Sequence, residues 1–242
     1  GKAGNYVYVR GLKGVAVGEP VEIFRATVHF ARSYKGSVQR TATTHLNKRG
    51  DRLFLDGESF WKGTMTSPDS NDYIGTELMR VGSGTVAGYS GETARVMVAE
   101  ANREINQGDR VAPASNSDFD PYYFPSAGPD TGADIRIMAV RDGFIAGSRS
   151  IVALPIGSKQ GVRNGNTFSI WSPGETVPDR IGNRSEMAAQ LDRVDMPNER
   201  VGTLMVFRTF ENVSYAIVML SALPVRVGDY LKHPDATTVH VR

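Results

Sequence analysis

Apolar residues along this chain recur every second position in short runs, the spacing of half-buried strands, and almost nowhere with the spacing of a helix. Residues 5–12 (NYVYVRGL), 21–24, 27–30, 52–55, 135–140 and 151–155 each show this alternation or a short β-branched run and predict strands. In residues 215–220 (YAIVML) every position is apolar, which predicts a strand covered on both faces. Residues 95–100 (RVMVAE) mix Arg95 and Glu100 with aliphatics and predict a half-exposed one. Gly-Asp and Gly-Asn pairs between these runs supply positive φ and a side chain that bonds its own backbone, so they predict tight turns. Residues 185–191 (SEMAAQL) are the one helical stretch, with Ser185 as cap and Met187 and Leu191 on one face.

The strand pattern occurs twice. Residues 94–111 (ARVMVAEANREINQGDRV) align without a gap on 214–231 (SYAIVMLSALPVRVGDYL), matching Val98 with Val218, Ile105 with Val225 and Gly108-Asp109 with Gly228-Asp229. Upstream, Ile74-Gly75-Thr76 followed by Leu78-Met79 aligns with Val201-Gly202-Thr203-Leu204-Met205. A second pair of segments, 14–24 (GVAVGEPVEIF) and 161–171 (GVRNGNTFSIW), shares both glycines and places Ile23 on Ile170. Self-similarity of this kind predicts one β module built twice. The expected fold is all-β: two small barrel-like or sandwich-like domains, 1–113 and 135–242, joined by a Pro-rich linker at 114–134.

Two stretches depart from the repeat. Residues 25–73 form an excursion inside the first copy, expected as a hairpin with its tip near residues 48–51. Its first half carries Arg25, Arg32, Lys35, Arg40, Lys48, Arg49 and Arg52 with His29, Phe30, Tyr34 and His45 among them. Such a stripe suits a polyanion or an acidic partner surface; it equally suits an exposed edge kept from aggregating by long charged side chains. The second departure is the linker, whose Phe119, Tyr122, Tyr123 and Phe124 are unusual in a free connection, since exposed aromatics find a surface to cover. A core has to be built in both copies, whereas a surface for one partner needs building once. These four aromatics, with Phe54, Phe60 and Trp61 of the excursion, are therefore the candidate partner-binding residues, and packing between the chain's own domains is their alternative use.

Composition narrows the function. Against 26 acidic residues stand 28 Lys and Arg, a net charge of +2, so any basic site is local rather than global. The absence of cysteine excludes thiol catalysis, disulfides and zinc-thiolate sites. No apolar run approaches the roughly 20 residues that a membrane helix needs. The first four residues have no apolar core of a signal peptide, which leaves a cytoplasmic protein or a removed leader as the two readings. The four histidines, His29, His45, His233 and His240, are scattered without a spaced partner of metal-ligand type. No nucleophile elbow or paired-carboxylate pattern is present, and the glycines 82, 84, 88 and 91 match no phosphate loop and predict a loose hairpin. No cofactor and no enzymatic activity are expected.

Residues 195–220 (DMPNERVGTLMVFRTFENVSYAIVML) and 224–229 (PVRVGD), with 197–218 as the strongest piece, together with NYVYVRGL and the EINQGDRVAP strand end, resemble the C-terminal region of periplasmic LysM-containing proteins, the secretin-associated family of the type IV pilus machinery. The C-terminal region of a flagellar T-ring protein is a more distant likeness. The resemblance implies a non-enzymatic envelope protein, in the periplasm, whose LysM module grips peptidoglycan while the remainder associates with the outer-membrane secretin ring. A LysM module is a short βααβ unit, and residues 1–242 offer no such pair of helices; the peptidoglycan-binding part is expected outside them. The alternatives are a nucleic-acid-binding β-barrel protein that uses residues 25–52 and, more remotely, a cell-wall hydrolase.

Overall fold

The computed structural model describes residues 4–31, 38–39, 44–46, 52–54, 61–65, 73–115, 122–130, 134–141, 143, 145–178 and 193–237. Among them the regular elements are strands, apart from one 3-10 turn at Ser158–Gln160. In the first half these are β1 (Tyr6–Arg10), β2 (Pro20–Ala31), β3 (Val38–Gln39), β4 (Thr44–Leu46), β5 (Arg52–Phe54), β6 (Trp61–Met65), β7 (Tyr73–Ser90), β8 (Thr93–Ala101) and β9 (Arg110–Pro113). In the second they are β10 (Ser126–Ala127), β11 (Ala139–Arg141), β12 (Ile145–Ala146), β13 (Ile151–Leu154), β14 (Asn166–Ser172), β15 (Thr176–Pro178), β16 (Arg193–Asp195), β17 (Glu199–Thr209), β18 (Ser214–Ser221), β19 (Val225–Arg226) and β20 (Tyr230–Lys232). The helix expected at 185–191 lies outside the described residues.

The chain forms two compact units. Unit one comprises residues 1–29, 41–59 and 76–121; unit two comprises 30–40, 60–75 and 122–242. The excursion at 25–73 is thus shared out: β4 and β5 pair with each other, Leu46 opposite Arg52, while β3 and β6 add to the sheet of unit two through β11. Residues 122–130, within the stretch read as a linker, belong to unit two, where β10 runs parallel to the start of β14.

Beside the β4-β5 pair, unit one has a five-stranded sheet in the order β1-β8-β7-β2-β9. Unit two contains the order β13-β18-β17-β14, with β20 on the other side of β14. The two orders correspond strand for strand, and so do their registers. Val86 faces Val96 where Val206 faces Ala216, and Gly84 faces Val98 where Leu204 faces Val218. The ladder breaks at the same two places in each sheet, after Ser83 and Thr203 and after Val86 and Val206. Val7 stands opposite Val96 as Val152 stands opposite Ala216. This register corrects the alignment at the start of β7. The counterpart of Val201-Gly202 is Val81-Gly82, not Ile74-Gly75, because Gly82 faces Ala101 as Gly202 faces Ser221. A backbone carbonyl crowds both glycines: a Cβ on Gly82 would stand 2.5 Å from the Glu100 oxygen, and one on Gly202 2.3 Å from the Leu220 oxygen. Glycine here permits a close strand approach, so the hairpin expected to be loose is tight at Gly82 and Gly84 and open only at Gly88 and Gly91.

Inward positions of these strands fill the cores. In unit two they form one cluster, including Val152, Leu154, Phe168, Ile170, Leu204, Val206, Ala216 and Val218. Unit one holds two smaller clusters, Val15, Val21, Val86 and Val96 in one and Ile23, Val81 and Val98 in the other. The strand expected to be covered on both faces is not. In β18, Ala216 and Val218 are buried whereas Met219 and Leu220 are 53% and 65% exposed. Its inward face packs; its outward face is covered only toward Tyr215. β8 alternates as expected, with Val96 and Val98 buried and Met97 exposed.

The turns before β9 and β20 are built alike. Gly108 has φ 100° and Gly228 φ 96°, and the next residue's carboxylate accepts the N–H three residues back, Asn106 to Asp109 and Arg226 to Asp229, each at 2.8 Å. No atom crowds a Cβ at Gly108, so substitution costs backbone strain alone. Gly108→Val and Gly228→Val are each expected to destabilise by roughly 1 to 3 kcal/mol. Thermal melting of the two variants measures this; unchanged melting in both would contradict the turn geometry.

Candidate partner-binding site

Of the linker aromatics, Phe119 lies outside the described residues and the other three stand just before a segment bonded to β14. Ser126 N–H donates to the Gly165 carbonyl at 3.0 Å and Gly128 N–H to the Thr167 carbonyl at 2.9 Å. The Asn166 side-chain amide donates to Ser126 Oγ at 2.9 Å. Phe168 closes over Gly128, where a Cβ would lie 2.3 Å from the ring. Just upstream of this clamp, Tyr122 is 85% and Phe124 91% exposed, with Tyr123 half-buried between them. Solvated rings beside a segment paired with a sheet are placed where a partner can cover them.

The excursion aromatics do not join them. Trp61 is 2% exposed; it packs edge-on against Phe30, with ring centroids 5.8 Å apart, and against Tyr215 at 5.3 Å. Tyr215 in turn meets Phe210 edge-on at 5.2 Å. Trp61 therefore covers the outward face of β18 inside unit two and presents no surface to a partner. Phe54 lies on β5, with its side chain beyond the described set, and Phe60 lies outside the described residues. The residues that the sequence did not single out are Met219 and Leu220, on the part of β18 that Trp61 does not reach. Their signal was the unbroken apolar run itself.

The basic stripe resolves at one position. Arg25 grips Asp109 through two bonds, Nε to Oδ1 at 2.8 Å and Nη2 to Oδ2 at 2.9 Å, with both side chains largely buried. A guanidinium committed in this fork to a carboxylate is a structural clamp on the turn before β9, not a contact offered to a polyanion. Arg32, Lys35, Arg40, Lys48 and Arg49 lie outside the described residues, and of Arg52 only its place on β5 is described. Among the described residues no group of three or more His, Asp or Glu could hold a metal ion. No protein-family model matches the chain, and no curated protein is similar to it.

Asp229 occupies in unit two the position of Asp109, and Ser172 that of Arg25. A hydroxyl replaces the guanidinium. Burial raises the Asp229 carboxyl to about 6, against the lowering effects of the Arg226 N–H bond, the Arg226 charge and the Ser172 bond. A carboxyl whose folded value lies above its unfolded 3.8 favours the fold fully below about 3.8 and loses that contribution as pH rises through about 6. Asp229→Asn keeps an oxygen for the Arg226 N–H and removes the charge. The variant is expected to be more stable than the parent near neutral pH, with the difference closing by about pH 4. Denaturant titrations of parent and variant across that range measure it, and a constant difference would contradict the assignment.

Proposed function

We propose that this chain is a non-enzymatic attachment module of the bacterial periplasm, made of two versions of one β-barrel, that associates with the outer-membrane secretin of the type IV pilus machinery. The observation that carries the reading as a binding module is the exposed pair Tyr122 and Phe124 just upstream of the segment paired with β14. Aromatic side chains dominate the energetics of interfaces, and such a pair is costly to leave in water unless a partner covers it. The choice of partner is supported by the resemblance carried most strongly by residues 197–218, which span β17 and most of β18. No helix among the described residues is long and apolar enough to cross a membrane. The polyanion reading finds less support, because Arg25 is taken by Asp109.

The double variant Tyr122→Ala, Phe124→Ala tests this reading. Exposed side chains contribute within about 0.5 kcal/mol to stability, so its melting temperature is expected within about 2 °C of the parent. In a pull-down against detergent-extracted secretin rings the parent is expected to retain the ring and the variant to lose it. Retention by both would remove the aromatics from the interface; retention by neither would remove the secretin.

A further inference from the structure

In unit two the sheet closes on itself. Residues 135–137 lie along β20: Ile137 N–H donates to the Asp229 carbonyl at 2.8 Å and Leu231 N–H to the Ile135 carbonyl at 2.8 Å, with Arg136 bridged to Tyr230. The same stretch continues along β13, where Met138 N–H donates to the Ala153 carbonyl at 2.9 Å and Ala139 and Val140 pair with Ala153 and Val152. The ring is therefore β13, β18, β17, β14, β20 and the segment 135–140, which returns to β13. This closing strand also delivers Ile135, Ile137 and Val140 to the core.

Unit one has the first five members of that ring, and no sixth among the described residues. Its sheet ends on β1 and β9, and between them runs a groove of about 630 Å³ whose lining includes Tyr8, Val9, Leu12, Asp109 and Val111. Tyr8 corresponds to Ala153, Asp109 to Asp229 and Val111 to Leu231, the residues that bond the closing strand in unit two. The core records the same vacancy in its burial. Val152, Leu154 and Leu231 are buried to 0%, 0% and 3% exposure, whereas their counterparts Val7, Val9 and Val111 are only half-buried. A strand residue fills about 160 Å³ at sheet spacings of about 3.3, 4.8 and 10 Å, so the groove matches about four residues of extended chain.

We propose that the groove between β1 and β9 accepts one extended strand of a partner polypeptide, antiparallel to both edges, as the sixth strand of unit one. The chemistry required of that strand is set by the one that fills the corresponding place in unit two. Aliphatic side chains two positions apart, as Ile135 and Ile137 are, must reach inward over Val9 and Val111, and the main chain must meet the outward-facing groups of Tyr8, Asp109 and Val111. Main-chain bonds supply the affinity of such strand addition and the alternate side chains its specificity. The proposal does not depend on the partner being a secretin.

A fluorescein-labelled peptide of residues 134–141 (DIRIMAVR) is the probe, titrated against the intact chain by anisotropy. Saturable binding is expected. The peptide carrying Ile135→Asp and Ile137→Asp is expected to bind more weakly by about tenfold or more, because two inward aliphatics are lost. In the protein, Val111→Asp and, separately, Tyr8→Pro are expected to abolish binding; Tyr8→Pro removes only an outward N–H on an edge strand, where proline is tolerated. Absence of binding at about 1 mM peptide would overturn the proposal. So would equal binding of the Asp-substituted peptide, or binding that neither protein variant alters. Sedimentation of the chain alone covers the remaining occupant: self-association abolished by Tyr8→Pro would place a second copy of this chain in the groove and would likewise overturn a partner strand.

Discussion

A β-sheet that curls far enough to bring its edges near each other must pair those edges or leave two rows of backbone donors and acceptors facing across a gap. Unit two pairs them. The cost of an open edge is avoided by one short run, residues 135–140, whose first half bonds β20 and whose second half bonds β13. Among the described residues unit one has the same register without that run, and its smaller core follows from it. Two inward isoleucines and a valine have no counterpart there, so Val7, Val9 and Val111 stay partly open, and the clusters around Ile23 and Val21 meet only through the half-buried Val7 and Val111. The difference between the units is one of closure, not of sheet design.

The same comparison separates what the barrel needs from what each version has made of it. The bulges, the crowded glycines Gly82 and Gly202, and the carboxylate-capped turns at Gly108 and Gly228 occur in both sheets, because each is a condition for the strands to bend and reverse where they do. The partner of the turn carboxylate differs. Arg25 holds Asp109 by a buried fork, whereas Asp229 has Ser172 and is raised to about 6. One turn is tied by an ion pair and the other carries a carboxyl that burial raises, which gives unit two a dependence on pH. An arginine that alone looked like part of a basic stripe thus has a structural partner that only the fold brings near, 84 residues away.

The β class and most strands were legible because alternation survives in residues such as Val7, Val9, Val96 and Val98, whose period of two is the period of the fold itself. The gapless match of 94–111 on 214–231 was legible for the same reason, since register is fixed when one face is buried. The start of β7 misled. Ile74-Gly75-Thr76 and Val201-Gly202-Thr203 share letters, but the crowded position is Gly82, and steric approach by a neighbouring strand leaves no mark in one strand's own sequence. The run 215–220 misled differently: apolar residues on both faces can mean a strand buried twice or a strand that is buried once and exposes Met219 and Leu220. Among the candidate site residues, Tyr122 and Phe124 stand where a partner can reach them, while Trp61 does not, because β6 pairs with β11 and carries it under Tyr215. Pairing between strands so distant in sequence is set by the whole sheet and is absent from any local pattern.

Closure is measured most directly at two equivalent amides, those of Val111 and Leu231, by native-state hydrogen exchange on the chain alone. Leu231 N–H donates to the Ile135 carbonyl, so it is expected to exchange only on opening of the barrel of unit two. Val111 occupies the same position on an edge strand, and its N–H is expected to exchange orders of magnitude faster. Equal, slow exchange at both amides in a monomeric chain would show that unit one is already closed and would contradict the account.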